Sequence, residues 1–423
     1  MKKSYLWSLA VLTGITHALE PQQQLLDSQH EIPAPTTHLD SIIASSPLLS
    51  FHRDIVKIPS ISENERDVGE YIINFLTSHN FTVEKQIVTP GNATTKERFN
   101  VYAYVGENRF PDVLLTSHID TVPPFIEYSL HAPKSASSSF NREDLIIAGR
   151  GTVDAKASVA AITFAALETL QQDPDASLGL LFDVGEEKSG IGMKHFSNSD
   201  LNPDPASYSA IIFGEPTELK LVAGHKGNLA FKIISQGKAA HSGYPHLGKS
   251  AISAILPVLQ YIDTLENLHP DQGGLLRSEK FNGSTLNIGV VSGGQAGNIV
   301  PAYAEAVVSV RLAAGTPDDT REIIQRAVDA VTGGEGGVFV DFGDRGGAPP
   351  QHLDVDVEGF DVITVNYGTD VPALEIHGGG KKVKRYLYGP GTIHVAHGDD
   401  EAISVGELER AVQGYKRLIK AAL

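Results

Sequence analysis

Residues 114–123 read LLTSHIDTVP. An apolar run of the right length for one buried strand stops on His118 and Asp120, two positions apart. Side chains at i and i+2 of a strand leave the same face, so the pair is expected to point together past the strand end. Core strands seldom finish that way unless something beyond them uses the two groups.

The same signature recurs along the chain. LGLLFDVGEE ends an apolar run on Glu186 and Glu187, and SAIIFGEPT ends one on Glu215. Between them lies DAKASVAAITFAALETLQQD, an Ala-rich stretch of helical length opened by Asp154. Strands near 98–105 and a helix near 64–79 precede this region, and strand–helix alternation predicts the α/β class, with a mostly parallel sheet covered by helices on both faces. In open sheets of this kind ligands bind beyond the carboxyl ends of the strands, where all these ionisable groups fall.

The pattern changes near residue 226. GNLAFKIISQGKAAHS alternates with a period of two, a helix is expected at 248–266, strands at 284–292 and 302–312, and a second helix at 317–332. This reads as an inserted α+β domain, residues 226–336, leaving through the Gly-rich VTGGEGG. The expected organisation is a leader at 1–18, a polar arm at 19–45, a catalytic domain at 46–225 that resumes at 337–423, and the insertion between the halves.

The chain has 423 residues, 41% apolar and 20% charged, ordinary for a globular protein of two or three domains. Its formal charge of −17 disfavours nucleic acid or an anionic membrane as partner. MKKSYLWSLAVLTGITHA pairs Lys2 and Lys3 with an apolar stretch too short to span a bilayer, as a secretory leader does. An exported, extracellular protein is expected. The sequons at Asn80, Asn92 and Asn282 fit passage through a glycosylating pathway. With no cysteine, disulfides, thiolate ligands and cysteine nucleophiles are all excluded.

Taken singly, each acid or histidine has a plainer reading. Asp154 before a helix reads as an N-cap, Glu186 and Glu187 as a solvated turn, and a lone histidine as a surface group. Convergence of several strand ends changes the balance, because carboxylates packed within a few ångströms need cations. Carboxylates with imidazoles and no sulfur suit Zn, Mn or Co in a hydrolytic site. GPGTIHVAHGDDE supplies two histidines for it, His394 and His397.

The segments SHIDTVP, GRGTVDAKA, DVGEEKSG, FGEPT, GKAAHSGYPHLGKSAI, GGQAGNIVPAYAEAVVSVRL and AHGDDE, in that order, resemble the M20 family of dinuclear zinc peptidases and amidohydrolases. Ala155 and Ala157 stand where that family more often has Met and Gly. The resemblance implies a zinc-peptidase-like catalytic domain whose insertion is a lid or dimerisation domain, through which the chain would form a homodimer. It implies two Zn²⁺ per subunit, with Co²⁺ or Mn²⁺ as substitutes, roughly 3.5–4 Å apart. His118 and Glu215 would hold one ion, Glu187 and His397 the other, and Asp154 would bridge them. Glu186 would be the general base, drawing a proton from a metal-bridging water. Asp120 would accept the other ring N–H of His118 and fix its tautomer. His241 would steady the developing oxyanion, and Asn298 and Arg311 would bind substrate, Arg311 through a carboxylate.

The function implied is a secreted carboxypeptidase acting on peptides. An N-acyl amino acid deacylase is the alternative that keeps the same site. A glycoside hydrolase built on Glu186 and a partner carboxylate, or a binding protein that retains only the fold, would be indifferent to chelators. A phosphate-binding role for the Gly378–Gly380 loop beside Asp370 lacks the GxxxxGK[ST] pattern.

Overall fold

The computed structural model describes residues 38–91, 95–133, 140–334, 336–343, 346–378, 380 and 382–423. The leader at 1–18, most of the expected arm, the sequon at Asn92 and the loop glycine at 379 lie outside the described residues. The arm ends sooner than expected: His38–Ala44 is a helix that buries Ile43. Seven residues with one fully buried side chain leave too little periodicity to betray it.

A six-stranded sheet organises the catalytic part, in the order Thr82–Thr89, Arg98–Tyr104, Leu178–Asp183, Val113–His118, Ala210–Gly214, Lys384–Tyr388. The last three pairings are parallel and the first two antiparallel. The strands Val113–His118 and Leu178–Asp183 are buried at every position, which explains why they read as unbroken apolar runs. Successive residues feed opposite cores. Val113, Leu115, Leu180 and Ile212 pack with helices Pro47–Lys57, Arg66–Ser78, Lys156–Gln172 and Val405–Ala422. Leu114, Leu181 and Ile211 pack with Met193 and Phe196 of the short helix Ile191–Ser197, with Val222 of a small three-stranded sheet, and with Leu353 just after that sheet's strand Gln351–His352. Full burial of each such side chain is worth about 1.5–3 kcal/mol.

The Lys156–Gln172 helix lies directly under this sheet, and Lys156 through Thr163 are all buried. Small alanines allow that approach. None of the described helices is long and apolar enough to cross a membrane.

The insertion is a four-stranded antiparallel sheet ordered Thr285–Gly293, Tyr303–Leu312, Gly227–Gln236, Val338–Asp341. Along Gly227–Gln236 buried positions alternate with exposed or half-exposed ones, matching the period-two reading. Leu229, Phe231 and Ile233 meet Ile255, Val258 and Ile262 of helix Ala251–Thr264, and Ile324 and Val328 of helix Pro317–Thr332. A capping box starts the latter helix: Thr316 Oγ1 accepts from Asp319 N at 3.2 Å, and Asp319 Oδ2 accepts from Thr316 N at 2.7 Å.

The expected boundary at 336 falls short. Val338–Asp341 still belongs to the insertion, since Val338 pairs with Ser235 and Asp341 with Lys232. A strand of four residues directly after a glycine run is too short for its period to register, so the glycines looked like an exit when they are a turn.

Candidate metal centre

His118 is the last residue of its strand, Glu186 and Glu187 lie in the turn after Leu178–Asp183, and Glu215 follows Ala210–Gly214 directly. Parallel neighbours bring these ends to one rim. Asp154 reaches the same rim from the turn before Lys156–Gln172. It is not the helix cap: Ala155 holds that position and no side chain caps the helix. The glutamate turn depends on Gly185, whose φ is +76° and where a Cβ would lie 2.6 Å from Arg98 Nη2. Arg98 is fixed in turn by Glu65, Nε to Oε2 at 2.9 Å and Nη2 to Oε1 at 2.6 Å.

Asp154 sits at the centre. His118 Nε2 is 3.1 Å from its Oδ1, and His397 Nε2 is 3.3 Å from its Oδ2. Each carboxylate oxygen therefore faces a different imidazole. His397 Nε2 also approaches Glu187, 2.9 Å from Oε2. Donor atoms of His118, Asp154 and Glu187 all lie within 4.8 Å of one another. Glu215, almost wholly buried, acts electrostatically on His118 and Asp154. His394 is exposed, with its main-chain N–H donating to Thr392 Oγ1 at 3.3 Å.

Buried like charges crowd the cluster. Burial, then the like charges of Glu215, Asp370 and Glu187, lift the Glu186 carboxyl well above the carboxylate range despite the pull of His118. Burial lifts Glu215 and Glu187 as well. Burial opposes charge on His118, yet hydrogen bonds to Asp120 and Asp154 hold it well above the ordinary histidine value. His397 is raised to about 10, by its bonds to Asp154 and Glu187. The donor set suits divalent cations: oxygen and imidazole nitrogen donors, no sulfur, buried and mutually repelling without positive charge.

The other ring nitrogen of His118 turns to Asp120, two residues on, where the strand has already stopped. His118 Nδ1 lies closer to the main-chain oxygen of Asp120, at 3.0 Å, than to its Oδ1, at 3.5 Å. The carboxylate serves two other groups: Oδ1 accepts from Glu186 N at 3.1 Å, and Oδ2 from the Ser62 hydroxyl at 2.7 Å. One residue thus ties the His118 strand end to the glutamate turn.

Residues 223–335 match the model of the M20 peptidase dimerisation domain. A "probable carboxypeptidase" of Aspergillus flavus is 67% identical over the whole of both chains, and one of Aspergillus oryzae is 55% identical over 99% of each. The chain belongs to the M20 peptidase family. Among solved structures it is similar to an M20 metallo-carboxypeptidase of Sulfolobus solfataricus, with TM-score 0.64, 17% identity, and 89% and 99% of the two chains covered. A tripeptidase of Staphylococcus aureus gives TM-score 0.66 at 19% identity, with 89% and 97% covered. This M20 peptidase is accordingly a metal-dependent hydrolase of peptide or amide bonds.

Residues of the M20 insertion stay apart from the cluster. His241 is exposed, its Nδ1 accepting from Gly243 N at 3.0 Å, and its backbone bridges to Ile299. Asn298 is exposed beside it, with its carbonyl accepting from Ser242 N at 3.0 Å. Arg311 stands opposite Asn228 in the sheet, and a Cβ on Gly368 would lie 3.3 Å from its Nη1. Arg311 thereby adjoins the segment in which Tyr367 donates to Pro216 O at 2.8 Å, next to Glu215.

Several supporting residues were not singled out from sequence. Lys156 is buried, its ammonium driven down to about 7 by that burial, and donates to Ile55 O at 2.8 Å and Ile58 O at 2.9 Å. It docks the end of the Pro47–Lys57 helix against the Asp154 turn. Arg150 and Glu401 form a buried ion pair, 2.7 Å between Nη1 and Oε2. Their motifs, GRGTVD and HGDDE, carried a signal: a charged residue enclosed by glycines, and an acid just beyond a candidate ligand.

Proposed function

We propose that this M20 peptidase is an exported, zinc-dependent carboxypeptidase with two ions per subunit. The observation that carries the two-ion reading is the Asp154 carboxylate, whose oxygens face separate histidines 3.1 and 3.3 Å away. His118 and Glu215 would hold one ion, His397 and Glu187 the other. Bound there, the ions supply Lewis acidity to a carbonyl and lower the pKa of water.

Glu186 does the proton work. It lies beside the ligands without being paired to either histidine, and its raised pKa suits a group that takes a proton from the attacking water and passes it to the leaving amine. Adjacency to Glu187 makes the two side chains diverge, leaving one for metal and one for chemistry. Arg311 offers a bidentate grip on the carboxylate of a C-terminal residue, with Asn298 as a second contact. Turnover of N-blocked dipeptides, set against N-acetyl amino acids, tests the substrate class. The expected result is faster release of the C-terminal residue from the dipeptides; preference for acetyl amino acids would make the chain a deacylase.

His241 faces solvent, so we assign its oxyanion role to the site of a second subunit. The edge strand Thr285–Gly293 exposes Val290 and Val291, and the neighbouring helix exposes Leu256, each more than half accessible. An unpaired apolar edge of this kind favours pairing with a copy of itself. Val291→Asp with Leu256→Asp should halve the mass seen by light scattering and reduce activity together with it. A double variant that remains dimeric would place the interface elsewhere.

Export rests on the leader-like residues 1–18. Asn80, in the turn after helix Arg66–Ser78, and Asn282, opening the two-residue strand Asn282–Gly283, are both exposed, with φ of +65° and +58°. Protein recovered from culture medium should begin near residue 19 and lose mass on glycosidase treatment. Retention in cells with Met1 intact would contradict it.

A further inference from the structure

Arg150 and Glu401 are each 1% exposed, and their pairing is only one strand of a larger web. Glu401 Oε1 accepts from the main-chain N–H of Val153 at 2.9 Å and of Asp154 at 3.0 Å. Arg150 Nη1 also donates to Gly398 O at 3.1 Å, Nη2 to His397 O at 3.3 Å, and Nε to Pro124 O at 3.3 Å. A buried ion pair is a weak source of stability, since apolar residues of the same volume often serve as well. Apolar residues could not hold the amide of the bridging aspartate and the carbonyl of a histidine at once.

The two histidines differ in what else fixes them. His118 ends a strand hydrogen-bonded on both sides, and its side chain is 1% exposed. His397 sits in a turn with φ of +64°, its side chain 53% exposed, and the turn's own bonds are local: Val395 N to Thr392 O, His394 N to Thr392 Oγ1 and Gly398 N to Val395 O. Arg150 joins that turn to the Asp154 turn across 247 residues of sequence.

We infer that Arg150 and Glu401 are positioning residues for the His397 half of the centre, and that the ion held there is the weaker bound and the one lost when the pair is broken. The inference rests on the two-ion reading. Neither residue reaches substrate; both act through the backbone of Asp154 and His397. Glu401→Gln keeps an oxygen for the two amides and turns an NH₂ toward Arg150, whereas Arg150→Lys keeps the charge and loses the fork.

The test is a zinc titration of the chelator-stripped full chain, in competition with a chromophoric chelator, for the wild type, Glu401→Gln and Arg150→Lys. Cobalt absorption is followed at each equivalent. The wild type should show two sites. Glu401→Gln should weaken the weaker site by about 10–100-fold and leave the tighter one within about threefold, the scale on which outer partners tune metal ligands. Arg150→Lys should fall between, and excess zinc should restore kcat in both. Cobalt spectra should change at the second equivalent only. Equal weakening of both sites, or of neither, overturns the inference while leaving the two-ion reading intact. If Glu401→Gln does not fold, Arg150→Lys decides on the same criterion. A wild type that takes up no zinc overturns both readings.

Discussion

Glu186→Gln is expected to lower kcat by about 100-fold or more while both metals stay bound, because a positioned base contributes about 10²–10⁴-fold. The substitution is nearly isosteric, and the hydrogen bond that sets the turn comes from the Glu186 main chain to Asp120 Oδ1, so it survives. Gly185 and the Arg98–Glu65 pair that shape the turn are untouched. What disappears is the ability to take a proton. KM should change little, since the side chain is not assigned to substrate binding. Steady-state kinetics on a blocked dipeptide, with metal content measured on the same sample, checks this. Turnover within tenfold of the parent, metals retained, would move the base elsewhere.

Asp154→Asn is expected to abolish activity by a different route, costing zinc at both positions. An amide presents one oxygen where the carboxylate presents two, and its NH₂ would face either His118 or His397, 3.1 and 3.3 Å away. Loss of a shared ligand should exceed the roughly 10–100-fold typical of an outer partner, at both sites together. The fold should persist, because Glu401 binds the Asp154 amide rather than its side chain. Competition titration of the folded variant is the check, and retention of two ions at parental affinity would mean that Asp154 does not bridge.

These two side chains also show how far the sequence could be read. Convergence was legible because each parallel strand is buried on both faces, so an ionisable group at its end stands out against an unbroken apolar run. The insertion was legible because one face of its sheet is solvated and the other packs on two helices, which writes a period of two. The four-residue strand Val338–Asp341 and the helix His38–Ala44 were hidden by brevity. Asp120 was placed beside His118, but its distant contacts were not legible: its carboxylate also serves Ser62 and the Glu186 amide, partners 58 and 66 residues away. Arg150 and Glu401 lie 251 residues apart, and no local pattern couples residues at that distance. Exposure of His241 and Asn298 could not be read from local pattern; in the dimer proposed above, the far half of a shared site would look like ordinary surface within one chain.

The account depends on two divalent ions held by one set of five side chains. Anomalous scattering at the zinc edge, from crystals of chain purified without chelator, measures this directly. Two peaks per chain are predicted, one against His118 and Glu215, the other against Glu187 and His397, with Asp154 touching both. A single peak, or metal bound away from these residues, would contradict it.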